Sequence, residues 1–383
     1  MTSASPSRVA AVDVARCLAL LGILVNHLVG GLASAVLWDV HAVLFAVLVG
    51  VGAQLGWSAH RRGSTARAGL VRAGALAVVG LTLADLGTRA AIVLVPLAVV
   101  TVVVTWAVRR TTRVLLGVTT SVALLAPLVA HLGRRGLAGR WLPDVGWSDL
   151  LDPSHALSTA SFATSYPAVL WTAYGLLGVL AARASLPDGN RPARPAALAL
   201  AGLCLVLVGR VGSILALVLT RRTALLEAER RAAVEASSLP DDVDRLTLVG
   251  AYLPSTPSLL VSGGLALLVL AGVIALCRRP RVRESALVRG AADLGSMTLS
   301  AYTLHVLLLP GTERVLEAHP GLGPWWLWAA HVTIIAVVLL TWRRTLPSPL
   351  SSGPLEWATR RAVAAVTPRS GRSPAPGPPR RPA

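Results

Sequence analysis

Apolar runs of about 17–24 residues follow one another from residue 9 to residue 342, each long enough to cross a hydrocarbon core roughly 30 Å thick. Ten are read, at about 9–32, 40–58, 68–86, 90–108, 114–131, 166–182, 196–219, 258–277, 291–309 and 324–342. With 54% hydrophobic and only 14% charged residues, the chain has too little polar surface for two soluble domains of this total length. The expected fold is all-α: a polytopic integral membrane protein of about ten transmembrane helices, forming one domain over residues 1–345. No small-residue cleavage site follows the first run, so it is expected to stay as a span rather than be a signal peptide. Residues 346–383 read as a basic Pro/Ser/Arg-rich tail, mostly disordered and ending in SGRSPAPGPPRRPA.

The formal charge is +18, and every basic side chain is arginine. The arginines cluster in alternate connections: Arg61, Arg62 and Arg67; Arg109, Arg110 and Arg113; Arg183, Arg191 and Arg194; Arg278, Arg279, Arg281 and Arg283. The positive-inside rule places those connections, and hence both termini, in the cytoplasm. Such an excess on one side favours an anionic leaflet or anionic cytosolic ligand over nucleic acid, for which the chain has no folded soluble module. Two outer loops are long. One, about 132–165, holds Trp141, Asp144, Trp147, Asp149, Asp152 and His155; the other, about 220–257, contains a mixed-charge stretch suited to a surface helix.

The first span carries ionisable groups that lipid would not accept: Asp13, Arg16 and His27, with Arg8 just before it. At about 100° per residue, Arg16 and His27 are only ~20° apart around the helix, and Asp13 shares their face. Eleven residues rise roughly 16 Å, so Arg16 at the headgroup level would put His27 near the midplane. Asp13 either orients Arg16 for a ligand or forms a simple salt bridge with it. Farther on, Tyr302 and His305 share a helix face, open to a proton-transfer role or to helix packing. Arg210 sits mid-span with apolar residues on both sides and should face a polar interior. It would contact an anionic substrate there, or pair with Asp13, Asp85 or Asp293.

These residues resemble those of a family. Arg16 and His27 reproduce the Arg-x10-His pattern of the acyltransferase 3 proteins. The Arg8, Asp13, Arg16 frame is similar to that of the heparan-alpha-glucosaminide N-acetyltransferase-like proteins and of the bacterial "domain of unknown function 418" proteins. Asp39, Phe45 and Gly50 resemble the start of the second span in that acetyltransferase group. Tyr302 and His305 resemble its Tyr-x-x-His pattern, and GPLEWATRR at 353–361 resembles the closing signature of the unknown-function family. Cys17 stands where these families usually carry Gly. The resemblance implies an enzyme that takes an acyl group from acetyl-CoA, or another acyl-CoA, and passes it through the membrane to a glycan or glycolipid of the cell envelope.

In that reading Arg16 would grip a donor phosphate with its planar fork, with Arg210 as a second contact. His27 would act as general base or carry the acyl group transiently, and Tyr302 with His305 would supply a second proton shuttle or an oxyanion donor. No metal is expected. Membrane lipids are implied partners, the plasma membrane is the expected location, and pairing of two copies is left open.

The other histidines are given no catalytic part: His41 would line the acceptor entrance or pack, and His60, His131, His319 and His331 lie at edges or in packing positions. Tyr166, Trp171 and Tyr174 read as an interfacial aromatic belt, or as a sugar-stacking surface. Walker, nucleophile-elbow and H-E-x-x-H motifs are absent, which removes support for those NTPase and hydrolase chemistries. Two readings compete with the enzyme. One is a transporter or flippase for an anionic small molecule or lipid-linked sugar, lined by Arg16, Arg210 and the histidines; the other is a non-catalytic scaffold.

Overall fold

The computed structural model describes residues 10–59, 64–137, 142–186, 193–220, 243–319 and 321–367. The described residues are helical, with no strand. In chain order the helices are α1 (Ala10–Leu28), α2 (Gly31–Leu37), α3 (Val40–Ala59), α4 (Ser64–Ala84) and α5 (Leu94–Ala107). Next come α6 (Thr112–Gly136), α7 (Pro153–Ser158), α8 (Ala168–Ser185), α9 (Pro195–Leu219) and α10 (Thr256–Cys277). The last five are α11 (Pro280–Arg283), α12 (Ala286–Gly295), α13 (Thr298–Ala318), α14 (Pro324–Thr345) and α15 (Pro354–Val366).

Eight of the described helices (α1, α3, α4, α6, α8, α9, α10 and α14) are long and apolar enough to cross a membrane, as a multi-pass membrane protein requires. The other two expected spans are helical but different in kind. The expected span 90–108 starts as helix only at Leu94, and its 14 residues reach about 21 Å. The expected span 291–309 is broken at Ser296–Met297, and α13 beyond the break contains Pro310 and the charged Glu313, Arg314 and Glu317. Within the expected tail, residues 354–366 form α15. Arg8, His60, Arg61, Arg62, Trp141, Arg191, the mixed-charge stretch 221–242 and the end of the tail lie outside the described residues.

Local chemistry explains where helices begin. Thr111, Ser255 and Ser285 accept the N–H three residues on at the starts of α6, α10 and α12, and Pro occupies the first helical turn of α9, α10, α14 and α15. Buried hydroxyls within spans close on their own helix: Thr101 and Thr105 donate to Leu97 and Thr101 carbonyls. Backbones approach closely where small residues meet. A side chain at Gly50 would run into the Gly175 carbonyl of α8, and one at Gly178 into the Val47 carbonyl of α3. Gly295 does the same for α12, pressed on Asp13 O and Cys17 N of α1.

Candidate functional site

The sequence-remote residues singled out above converge along one face of α1. A cleft of about 350 Å³ opens at the arginine-rich end of the bundle between α1, α3, α4, α13 and α15. Three guanidiniums line it: Arg16, Arg72 and Arg360. Arg16 Nη1 donates to Asp13 Oδ1 at 2.8 Å, and the Asp13 side chain is nearly buried while that of Arg16 stays about one-third exposed. Gly52 of α3 faces this guanidinium, with Arg16 Nη2 3.3 Å from where a Cβ on residue 52 would lie. Arg72 feels the positive charges of both Arg16 and Arg360. Inward, the walls turn apolar, with Ile23, Phe45, Leu48, Leu76, Leu97 and Leu299.

Helix α15 closes over the mouth of this cleft through one carboxylate. Glu356 Oε1 accepts the Leu299 N–H at 2.8 Å and the Ser300 N–H at 3.1 Å, and Oε2 accepts the Ser300 hydroxyl. An anion there satisfies the free N–H groups at the start of α13 and complements the helix dipole. Burial raises the Glu356 carboxyl above its usual range, and these hydrogen bonds offset part of the shift. Arg360, one turn after Glu356, is thereby held at the cleft mouth. Neither Arg72 nor Arg360 stood out in the sequence, although Arg360 and Glu356 lie within GPLEWATRR.

At its inner end the cleft is lined by Ile23 and Tyr302. One turn beyond Ile23 comes His27, and three residues beyond Tyr302 comes His305. Their rings stack at 5.3 Å, with His27 Nδ1 3.1 Å from His305 Nε2. The chain continues: His305 Nδ1 lies 2.9 Å from His331 Nδ1, and His331 Nε2 lies 2.7 Å from Thr312 Oγ1. Thr312 donates its proton to the Leu308 carbonyl. With the Thr312 proton on that carbonyl, Thr312 Oγ1 accepts from His331 Nε2–H, which leaves His331 Nδ1 to accept from His305 Nδ1–H. His305 Nε2 in turn accepts from His27 Nδ1–H. With all three imidazoles neutral, this order leaves the lone pair of His27 Nε2 as the unused base. His305 and His331 are buried, at 0% and 3% exposure, whereas His27 is only half-buried, so it is the accessible end of the relay. His331, expected only to pack, is a member of this relay.

Two expectations are corrected. Arg210 does not face the bundle interior: its side chain is exposed on α9, with its guanidinium 5.7 Å from the Trp38 ring centroid, and it does not line the cleft. Among the suggested partners, Asp293 is held by Arg343 at 2.8 Å and Asp85 receives the Trp147 N–H. The aromatic belt is also internal. Tyr166, Trp171 and Tyr174 are each about 95% buried and pack edge-to-face. His41 packs against Gly22 of α1 and bonds Tyr252 Oη at 3.0 Å through Nε2. Tyr302 is buried at the inner end of the cleft, with the Val93 backbone beside its hydroxyl.

A second cavity of about 350 Å³, lined by Thr88, Arg89, Ile92, Asp144 and Ser165, lies at the opposite end. Consecutive residues line the two: Ile92 lines this cavity, and Val93 and Leu94 line the arginine cleft. Asp144 pins that partition by accepting the Ile92 N–H. Burial pushes the Asp144 carboxyl up to about 6, against the pull of that hydrogen bond. A raised carboxyl stabilises the fold while protonated, so its contribution is present below the ordinary value of 3.8 and is lost as pH rises through about 6. Asp144→Asn keeps an oxygen for Ile92 but cannot ionise. It should gain about 1 kcal/mol at pH 7 relative to wild type, after discounting for partial exposure, and little at pH 4. Thermal unfolding in detergent at both pH values checks this; an unchanged pH 7 difference would count against the burial argument.

Compared with known proteins, the chain matches no protein-family model and no curated protein.

Proposed function

We propose that this protein is a membrane acyltransferase that takes an acyl group, in the simplest case acetyl, from acyl-CoA and delivers it to a sugar or glycolipid of the cell envelope. The observation that carries this reading is the cleft itself: cationic at the mouth, apolar along its walls, and ending one helical turn short of a half-buried histidine backed by two buried ones. The resemblance to the acyltransferase 3 and heparan-alpha-glucosaminide N-acetyltransferase-like proteins agrees with it: Arg16, Tyr302 and the GPLEWATRR segment line this cleft, Asp13 pairs with Arg16, and His27 and His305 lie one turn beyond it. In this reading the arginine-rich end faces the cytoplasm of a plasma-membrane protein, where acyl-CoA is available.

The chemistry follows from the geometry. Arg16, Arg72 and Arg360 attract the donor phosphates and hold them at the mouth. The slender pantetheine arm then runs between apolar walls that exclude water from the thioester. An acceptor hydroxyl entering from the opposite cavity loses its proton to His27 Nε2 as its oxygen attacks the thioester carbonyl. The tetrahedral intermediate collapses by breaking the C–S bond. CoA leaves as thiolate and takes the proton that His27 Nε2 had accepted, which restores the neutral imidazole, and the acceptor carries the new ester. Tyr302, which lines the inner end of the cleft, donates to the developing oxyanion in this reading. His305 and His331 hold His27 in the tautomer that keeps Nε2 basic. A transient acyl-His27 is the same attack made by Nε2 itself, followed by transfer to the acceptor.

Acetyl-CoA binding to the purified protein in detergent is the test. Wild type should bind saturably, and Arg16→Ala and Arg360→Ala should each weaken binding by about 10–100-fold, the value of a charge-assisted hydrogen bond. A well-folded wild type that binds no acyl-CoA, or arginine variants that bind as wild type does, would remove the reading and turn attention to transport.

A further inference from the structure

The arginine-rich end holds a second, larger cavity that the proposed transfer reaction does not use. It measures about 740 Å³ and lies between the end of α3, the α5–α6 turn and the end of α8. Arg109, Arg110 and Arg183 line it, and among the described residues no carboxylate does. Arg183 builds the wall. It donates through Nε to Gln54 Oε1 at 2.9 Å, and through Nη1 and Nη2 to the Arg110 and Val108 carbonyls at 2.9 and 2.8 Å. These bonds tie α8 to the open carbonyls at the end of α5 and fix a positive charge at the cavity rim.

Arg109 is held differently. Its guanidinium lies 4.7 Å from the Trp106 ring centroid and 6.0 Å from that of Trp57, so two indoles steer it without neutralising it. Arg110 is exposed beside it. Trp106 is 51% exposed, and an exposed indole beside arginines is the kind of residue that settles at a membrane–water boundary. Leu55, Val108 and Leu186 make the rest of the wall apolar. The cavity thus offers cations at the headgroup level and apolar surface beneath, the two halves of an anionic amphiphile.

We infer that this cavity binds a phosphate ester at Arg109 and Arg110, and that the group it fits is the headgroup of an anionic phospholipid with its first acyl carbons against the apolar wall. The ligand is neither donor nor acceptor in the proposed reaction, and the inference does not depend on that reaction. A soluble phosphate ester shares the chemistry at the cations but leaves the apolar wall unused.

The test uses full-length protein, stripped of lipid in detergent, with native mass spectrometry reading bound lipid and thermal unfolding reading stabilisation. The probes are short-chain phosphatidylglycerol, short-chain phosphatidylcholine and inorganic phosphate. Wild type should bind one phosphatidylglycerol saturably and at least tenfold more tightly than phosphatidylcholine. Arg109→Ala/Arg110→Ala should lose at least tenfold in phosphatidylglycerol affinity. Arg278→Ala/Arg279→Ala, which removes the same charge at the same end but outside the cavity, should lose less than twofold. Arg109→Lys/Arg110→Lys, which keeps the charge, should retain most of the binding and guards against a folding artefact. Equal losses from the two alanine pairs would overturn the inference in favour of diffuse surface charge, as would equal affinity for the two lipids. If inorganic phosphate protects wild type as well as phosphatidylglycerol does, and only the 109/110 pair abolishes both, the phosphate site stands and the lipid assignment is overturned.

Discussion

His27→Ala should abolish acyl transfer while leaving donor binding intact. Removing a general base costs about 10²–10⁴-fold in turnover, and removing a covalent carrier costs at least as much. The cleft stops one turn before residue 27, so the acyl-CoA Kd should stay within about twofold of wild type, which separates a chemical role from a binding one. His305→Ala should approach the same loss, because His27 Nδ1–H would lose its acceptor and the base its fixed tautomer. His331→Ala, one link further, should cost less, and Thr312→Val less again. A His27→Ala/His305→Ala double variant should be little worse than His27→Ala alone, since residues acting as one unit are not additive. The measurement is release of free CoA and of acylated acceptor, set against binding of acetyl-CoA by the same preparations. A His27→Ala protein that turns over at more than half the wild-type rate would remove both the base and the carrier role. Graded losses along the relay with unchanged binding would instead support the proton order derived from Thr312.

Gly50→Ala should be among the most damaging single methyls in the described bundle. A Cβ at residue 50 meets the Gly175 carbonyl and the Val179 N–H group of α8, and backbone cannot rotate away as a side chain can. The two helices would have to separate, carrying with them the neighbouring approach of Gly178 to Val47. Overpacking of this kind costs about 1–3 kcal/mol in ordinary cores, and contact with backbone puts the change at or above the top of that range. Gly74→Ala is the matched control. Residue 74 is exposed on α4, with nothing within 4 Å of its Cβ position, so alanine there should gain about 0.5–1 kcal/mol from helix propensity. The midpoint of thermal aggregation and the monodisperse fraction on size exclusion would read both. A Gly50→Ala protein as stable as the Gly74→Ala control would mean that α3 and α8 do not cross as described.

These two predictions mark how far local reading reaches. Residue spacing correctly put Asp13 and Arg16 on one face, because an i,i+3 pair is set by helix geometry alone. The same spacing put His27 on that face, and it lies one turn beyond the cleft lining. Long apolar runs announced helices because a bilayer leaves few other ways to satisfy the backbone. What spacing could not supply was partners. His331 is 26 residues from His305 and 304 from His27, and a lone histidine in an apolar run carries no mark of the ring it will meet. Arg210 misled for the converse reason: mid-span position implies a polar interior only if the helix turns that face inward, and α9 turns it outward.

The break at Ser296–Met297 and the docking of α15 are also tertiary decisions. Ser296 accepts from Arg343 on α14, and Glu356 caps α13 from a segment whose composition reads as tail. The sequence by itself determined the all-helical build, the apolar crossings and the Asp13–Arg16 pair, since each depends on residues within a few turns of one another. Only the tertiary structure decided that three remote arginines would share one cleft and three remote histidines one relay. Those groupings arise from helix contacts across hundreds of residues, where close glycine packing rather than local propensity sets which faces meet.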